Sequence, residues 1–343
     1  MKIGVLTGGG DAPGLNAVIR AVVKRSLRGG SEVVGIRHGW KGLMENSVVD
    51  LGAASVSGIL PRGGTIMGSS RSNPYRVKNG VENLLSNFES LGLNALIAIG
   101  GDDTLGVANR LYEENSLPVI GVPKTIDNDI PCTDFTFGFD TAVNIATEAI
   151  DRIHTTAEAH DRVMVVEVMG RHAGWIALYS GLAGGADCIL IPENPFVMNN
   201  VAELIKKRHN RGKNFSIVVV AEGAIPMEIG REVKVSEEVD SFGHVRLGGV
   251  GYYIGKKIGE LTGFETRVVV LGHLQRGGTP TAFDRVLATR FGVAAAELAI
   301  EKKFGKMVVL KGNRILTEDL SRIKDGIKKV DHDLYDVASN FFG

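Results

Sequence analysis

Ala98-Ile-Gly-Gly-Asp102-Asp103-Thr-Leu and Val122-Pro-Lys124-Thr125-Ile-Asp127-Asn-Asp129 are the two stretches on which the reading of the chain turns. Each follows a short apolar run, 93–99 and 117–122, of the kind that forms a strand buried in a parallel sheet. In an open parallel sheet ligands bind beyond the carboxyl ends of the strands, so the two loops are expected to face one crevice. They bring phosphate chemistry into it: glycines such as Gly101 that let a backbone approach phosphate, carboxylates suited to Mg2+, one lysine, and a carboxylate free to act as a base. Ordinary polar turns need far fewer charges than these loops carry.

With 343 residues, 44% of them hydrophobic, the chain exceeds the usual size of a single core, and two α/β lobes with mostly parallel sheets are expected. Lys+Arg 39 balances Asp+Glu 39, which argues against a general field for nucleic acid or an anionic membrane. No apolar run approaches the roughly 20 residues of a membrane span. Met1-Lys-Ile-Gly-Val-Leu-Thr leads into a strand without a signal-peptide pattern, so the cytoplasm is the expected compartment. Cys132 and Cys188 have no paired spacing and read as reduced structural thiols.

Working outward, 2–7 reads as a buried strand, and Gly8-Gly-Gly10-Asp11-Ala-Pro-Gly14 opens a helix over about 15–27. Backbone N–H groups and the positive end of a helix dipole hold phosphate there without a side chain, although the spacing fits neither the dinucleotide fingerprint nor the P-loop. A strand over 31–36 precedes a second glycine-rich loop, Arg62-Gly-Gly-Thr-Ile-Met-Gly68-Ser-Ser-Arg71. Arg71 and Arg76 flank a Pro74 turn, and arginine grips phosphate oxygens in a fixed fork, which makes both candidates for clamping a phosphoryl donor. Helices follow, one ending at Ser90 and one over 104–114.

After Asp129 a long helix from Phe137 to about His160 carries the chain into the second lobe. The strand beginning at Arg162 runs into Met169-Gly170-Arg171, with Met169 read as a wall residue. Strands over 188–192 and 215–220 follow, the latter ending at Ala221-Glu222-Gly223. Segment 226–249, with Glu228, Glu232, Glu237, Glu238 and Asp240, reads as an inserted surface segment. A strand over 266–272 then delivers His273-Leu274-Gln275-Arg276-Gly277-Gly278. A histidine beside arginine and glycines at a strand end is a candidate phosphate ligand. A helix over 284–300, a strand over 306–310 and a helical end complete the chain.

These motifs, in this order, resemble phosphofructokinases from end to end. The match rests on Gly8-Gly-Gly-Asp-Ala-Pro-Gly, Gly100-Gly-Asp, Thr125-Ile-Asp-Asn-Asp129, Met169-Gly-Arg, Ala221-Glu-Gly and Gly272-His-Leu-Gln-Arg-Gly-Gly. The resemblance implies a donor-binding lobe of residues 1–139 and 276–325, and a sugar-phosphate lobe of 140–275 and 326–343. It implies Asp127 as the base that takes the proton from the 1-hydroxyl of fructose 6-phosphate, with Asp102 and Asp129 around Mg2+ and Gly10 offering backbone to the donor. Thr125, Ile126, Met169, Gly170, Arg171, Glu222, His273, Leu274, Gln275 and Arg276 match sugar-phosphate positions, and Arg171 is also placed to meet charge on the transferred group. Arg162 and Arg267 match arginines that reach a neighbouring subunit's site, which implies a homo-oligomer, dimer or tetramer.

Asp103 and Lys124 bear on the donor. ATP-using members of the family commonly have glycine after the metal-binding aspartate, leaving room for the α-phosphate. A carboxylate there fills that space, and two like charges about 4 Å apart repel by roughly 4 kcal/mol at an effective dielectric near 20, an upper guide to a cost of about 10- to 1,000-fold. Asp103 with Lys124 is the pattern of pyrophosphate-dependent relatives, so pyrophosphate is the expected donor, with Lys124 neutralising the departing phosphate. The competing reading of Asp103 is a cap on a helix beginning at Thr104. ATP-dependent transfer and a non-catalytic phosphometabolite-binding protein are the alternative functions. Diacylglycerol and NAD kinases share Gly-Gly-Asp-Gly-Thr but would not require Met169-Gly-Arg171 or the His273 loop.

Overall fold

The apolar runs flanking the two site loops become central strands of a sheet, and 95–100 and 119–123 are buried throughout. The computed structural model describes residues 1–239 and 245–343. In chain order the strands are β1 (Lys2–Thr7), β2 (Glu32–Ile36), β3 (Val48–Asp50), β4 (Ala95–Gly100), β5 (Val119–Pro123), β6 (Val163–Val168), β7 (Cys188–Leu190), β8 (Ser216–Ala221), β9 (Lys234–Val239), β10 (Val245–Leu247), β11 (Thr266–Val270), β12 (Lys306–Lys311) and β13 (Arg314–Asp319). The helices are α1 (Leu15–Arg28), α2 (Trp40–Met44), α3 (Gly80–Ser90), α4 (Asp102–Asn115), α5 (Phe139–Ala159), α6 (Trp175–Ala183), α7 (Met198–Asn210), α8 (Val250–Thr262), α9 (Ala282–Ile300) and α10 (His332–Ser339).

Among the described residues these strands form a seven-stranded sheet, β13-β12-β5-β4-β1-β2-β3, and a four-stranded sheet, β11-β6-β8-β7. The inner pairings are parallel, and the antiparallel ones lie at the edges of the large sheet, β2 with β3 and β12 with β13. From β1 the chain moves outward to β2, whereas from β4 it moves the other way to β5, so β1 and β4 meet at a topological switch point. That is where an open α/β sheet leaves a crevice beyond its carboxyl ends. The large sheet is built from both ends of the described chain: after β5, α5 leads to the small sheet, and α9 returns to β12.

Amphipathic spacing explains the flanking helices. On α1 the buried Leu15, Val18, Ile19 and Val22 form one stripe, and it packs on α9. Contact is close because α9 is lined with small residues; a Cβ at Gly292 would sit 2.6 Å from Val18 O. Apolar clusters cover both faces of each sheet.

Three expectations need correction. The helix after Gly101 begins at Asp102 rather than Thr104. The end of the chain is not wholly helical, because β13 folds back as an antiparallel edge on β12 before α10. Segment 226–249 is not a bare surface insertion: β9 and β10 form a two-stranded antiparallel hairpin within it, and Leu247 is buried. Charge-rich short strands are hard to tell from loops when alternation is weak. Glu237 and Glu238 fall on β9, while Asp240 lies outside the described residues. The cysteines are free, Cys188 buried and Cys132 half-buried. No described helix is long and apolar enough to cross a membrane.

The starts of α5 and α9 are pinned together by Asp284. Its Oδ2 accepts from Thr141 N at 2.8 Å and Thr141 Oγ1 at 2.5 Å, while Thr281 Oγ1 caps α9 and donates to Asp140 Oδ2 at 2.6 Å. Burial, with the nearby Asp140 charge, pushes the Asp284 carboxyl up to about 6 from 3.8. The folded state therefore keeps a proton that the unfolded chain gives up, so this group's stabilising contribution is present below about pH 4 and is lost as pH rises to about 6. Urea unfolding at pH 4 and pH 7 is expected to show wild type losing about 2 kcal/mol more than Asp284→Asn across the interval. Equal losses would mean that Asp284 does not titrate there.

Candidate active site

Backbone hydrogen bonds first assemble the glycine loops. Gly8 N donates to Ile99 O at 2.9 Å and Gly9 N to Ser70 O at 3.1 Å, which ties the first loop to β4 and to the 62–71 loop. Asn16 holds the second loop, donating to Arg62 O and Gly63 O and accepting from Ile66 N. Gly8 and Gly100 close on Thr104, whose side chain a Cβ at either position would strike at 2.5 and 2.3 Å. Gly101, Asp102 and Asp103 are half-buried at the mouth of α4. Gly101 is its N-cap and no side chain caps it, so Asp103 is not the cap; Asp102 and Asp103 occupy the first turn, where carboxylates favour the helix dipole.

The 124–129 loop is buried. Lys124 is 3% exposed; its N–H donates to Gly100 O at 2.9 Å and its ammonium to Gly10 O. Burial pulls the amine down to about 8, reinforced by Arg276 and opposed by Asp127, Asp102 and Asp11. Thr125 Oγ1 accepts from Asp127 N at 3.0 Å, and Asn128, in the left-handed region at φ 53, accepts from Thr136 N. Asp127 is buried, and its Oδ1 has no hydrogen-bond partner among the described residues. Asp129 is held well above the usual carboxylate range by burial, then by the charges of Asp127 and Asp102. Ile126 lies in the apolar cluster with Ala12 and Phe139, so its side chain is structural.

The small sheet supplies the facing wall from the carboxyl ends of β6, β8 and β11. Gly170 at φ 144 and Arg171 at φ 54 turn the chain sharply, and Arg171 N donates to Glu222 Oε1 at 3.1 Å. A Cβ at Gly223 would lie 1.9 Å from Arg171 O, which is why this turn demands glycine. Burial, and next the Asp127 charge, push Glu222 up to about 7. Met169 packs on the core as a wall residue. In the 272–276 turn His273 and Leu274 are exposed, whereas Gln275 is fully buried and donates to Gly272 O at 3.1 Å, holding the turn itself. Arg276 crosses the crevice: its Nη1 donates to Asp11 O at 3.0 Å, and a Cβ at Gly10 would come 2.9 Å from it.

Two candidates stand apart. Arg162 and Arg267 lie at the amino ends of β6 and β11, opposite the crevice, and share Glu265 Oε1 at 2.9 and 2.5 Å. Arg71 and Arg76 are exposed on the 71–76 turn. Thr104 and Asn16 escaped the sequence reading, as did Lys328, which donates to Thr133 O and Asp134 O behind the second loop. Nothing in spacing marks a lysine in a polar stretch as reaching that far. Among the described residues no group of three or more His, Cys, Asp or Glu converges as a metal cage. Mg2+ does not need one, since it is commonly held by one or two carboxylates together with substrate phosphates.

A family model described as phosphofructokinase matches residues 2–299. The chain belongs to the phosphofructokinase family. The pyrophosphate--fructose 6-phosphate 1-phosphotransferase of Streptomyces coelicolor is 57% identical over 344 residues, covering 100% of both chains. The ATP-dependent 6-phosphofructokinase 3 of the same organism is 53% identical over 331 residues, covering 96% of both. Among solved structures, phosphofructokinase from Saccharomyces cerevisiae superposes with a TM-score of 0.80 at 32% identity over 99% of this chain and 46% of that one. Pyrophosphate-dependent phosphofructokinase from Marinobacter aquaeolei gives 0.81 at 25% identity over 100% and 92%.

A donor-binding role for Lys124 predicts anion binding that depends on pH. With its amine at about 8, the charge is present at neutral pH and lost above it. Calorimetric affinity for pyrophosphate is expected to fall about fivefold between pH 8 and 9, the loss of one essential proton from a group at about 8, and to stay level in Lys124→Arg. A wild-type affinity level through pH 9 would count against a donor-binding ammonium.

Proposed function

We infer that the protein catalyses reversible transfer of a phosphoryl group from pyrophosphate to the 1-hydroxyl of fructose 6-phosphate, giving fructose 1,6-bisphosphate and phosphate. Two residues carry the donor assignment: Asp103, a second carboxylate in the first turn of α4 where ATP-using members of the family commonly have glycine, and Lys124, a buried ammonium at the Gly9–Gly10 turn. The full-length likeness to a named pyrophosphate enzyme supports it. ATP-dependent transfer is the second reading, favoured by the relative at 53% identity.

Asp127 is the general base. Its unpartnered buried Oδ1 is free to accept the hydroxyl proton as the sugar oxygen bonds to phosphorus and the bridging P–O bond breaks. Lys124 neutralises the departing phosphate, and Arg171 meets charge on the transferred group. Gly10, Gly101, Arg71 and Arg76 hold the donor. Thr125, Met169, Gly170, Glu222, His273, Leu274, Gln275 and Arg276 form the sugar-phosphate pocket, the backbone of Ile126 continuing it. Asp102 and Asp129 fit Mg2+, because the mutual repulsion and burial that raise Asp129 are relieved by a cation. Bound there, Mg2+ neutralises charge spread over the phosphates.

The lobes divide as 1–139 with 276–325, donor, and 140–275 with 326–343, sugar phosphate; the separate sheets and the return through α9 support this. Arg162 and Arg267, remote from this chain's own crevice, serve a neighbouring copy's site in a homo-oligomeric enzyme of the cytoplasm. Parallel initial rates of fructose 1,6-bisphosphate formation with pyrophosphate or ATP test the reading. Activity is expected with pyrophosphate alone and falls in Asp103→Gly; equal or faster turnover with ATP would overturn the donor assignment. Asp127→Asn is expected to lower kcat by about 100- to 10,000-fold, the usual worth of a general base.

A further inference from the structure

The segment 326–331, between the large sheet and α10, runs behind the site rather than through it. Lys328 N donates to Asp129 O at 2.8 Å, and Lys328 Nζ donates to Thr133 O at 2.9 Å and Asp134 O at 2.8 Å. One residue thus grips the Asp127–Asp129 loop at its far end through three backbone carbonyls. The same segment is anchored on the opposite wall. Trp175 Nε1 donates to Lys328 O at 2.9 Å, and the ammonium lies 5.2 Å from the Trp175 ring centroid. Val330 N donates to Glu193 Oε1 at 3.0 Å, and Glu193 also accepts from Gly174 N, the N-cap of α6 immediately beyond the Arg171 turn.

We propose that Lys328 is a positioning residue: the 326–331 strap, fixed at Glu193 and Trp175, holds the loop carrying Asp127 and Asp129 in register with the Arg171 wall. This rests on the phosphotransferase reading above. A base and a phosphoryl-charge acceptor on different sheets must keep their spacing to a fraction of an ångström, and a misplacement of about 1 Å costs about 100-fold in rate. Hydrogen bonds from a charged donor to carbonyls in a half-buried site suit that purpose, being stronger and shorter than neutral ones. Three carbonyls on one side, and a ring, an indole N–H and a carboxylate anchor on the other, exceed what closing an edge segment requires. The hydrogen bonds that Lys328 donates run to backbone carbonyls of 129–134, so its effect on Asp127 is transmitted through the loop.

Steady-state kinetics of the full chain with fructose 6-phosphate, pyrophosphate and Mg2+ test this. Lys328→Met is expected to lower kcat by about 10- to 100-fold while the KM values for both substrates change by less than about threefold, with far-ultraviolet dichroism and association state unchanged. Amides of 125–134 are expected to exchange faster in that variant, while those of β4 and β5 keep wild-type protection. Lys328→Arg, which retains the charge and carbonyl donors, is expected to recover most of kcat. In a double-mutant cycle Glu193→Ala combined with Lys328→Met is expected to be little worse than Lys328→Met alone, because both cut one strap. Wild-type kcat in Lys328→Met, or losses that simply multiply in the double variant, would overturn the proposal. Failure of wild type itself to use fructose 6-phosphate would instead overturn the phosphotransferase reading.

Discussion

Like charge held out of water is the condition on which the rest of the molecule depends. Asp129 feels the charges of Asp127 and Asp102, and Glu222 that of Asp127; Asp127 and Asp129 are almost wholly buried, and burial with repulsion drives Asp129 and Glu222 above the carboxylate range. The cation built into this cluster, Lys124, is itself pulled down by burial. Such a set is costly in the free chain because each charge loses hydration. On the function proposed above, a divalent cation and phosphate oxygens placed against these carboxylates would offset that cost.

Keeping that cluster together needs an inflexible frame, and two parallel sheets provide it. Each offers the carboxyl ends of strands buried along their length, apart from Lys2 at the start of β1: β1 and β4 with β5 on one side and β6 with β8 on the other. The walls touch where Arg276 reaches Asp11 O, and the helices leading between the sheets are pinned at Asp284. Glycines work by close approach: Gly223 beneath Arg171, Gly10 beneath Arg276, and Gly8 and Gly100 around Thr104 leave no room for a methyl group.

Donor choice is a finer matter than fold. The Streptomyces coelicolor proteins named for pyrophosphate and for ATP are 57% and 53% identical to this chain over nearly all of it. A framework shared that widely cannot by itself discriminate donors. Discrimination has to come from a few groups at the donor end, and Asp103, at the start of α4, is the group proposed for it above.

The sequence by itself determined the α/β class, the central strands and the order of site loops. Continuous apolar runs such as 95–99 and glycine turns such as 8–10 are local signals that survive without tertiary context. It also proposed Asp127, Asp129, Lys124, Arg171, Glu222 and Arg276 as candidates for one crevice. Tertiary structure alone decided which of the marked residues turn away: Ile126 into the core, Gln275 onto its own turn, and Arg162 and Arg267 to the far end of the small sheet. It alone showed β13 and the β9–β10 hairpin, whose short polar strands form by pairing rather than by pattern. And only tertiary structure brings Lys328, about 200 residues away in the chain, to Asp129, Thr133 and Asp134. Periodicity records which face of an element is buried; contacts across such separations depend on where the chain returns after folding, and no local spacing encodes that.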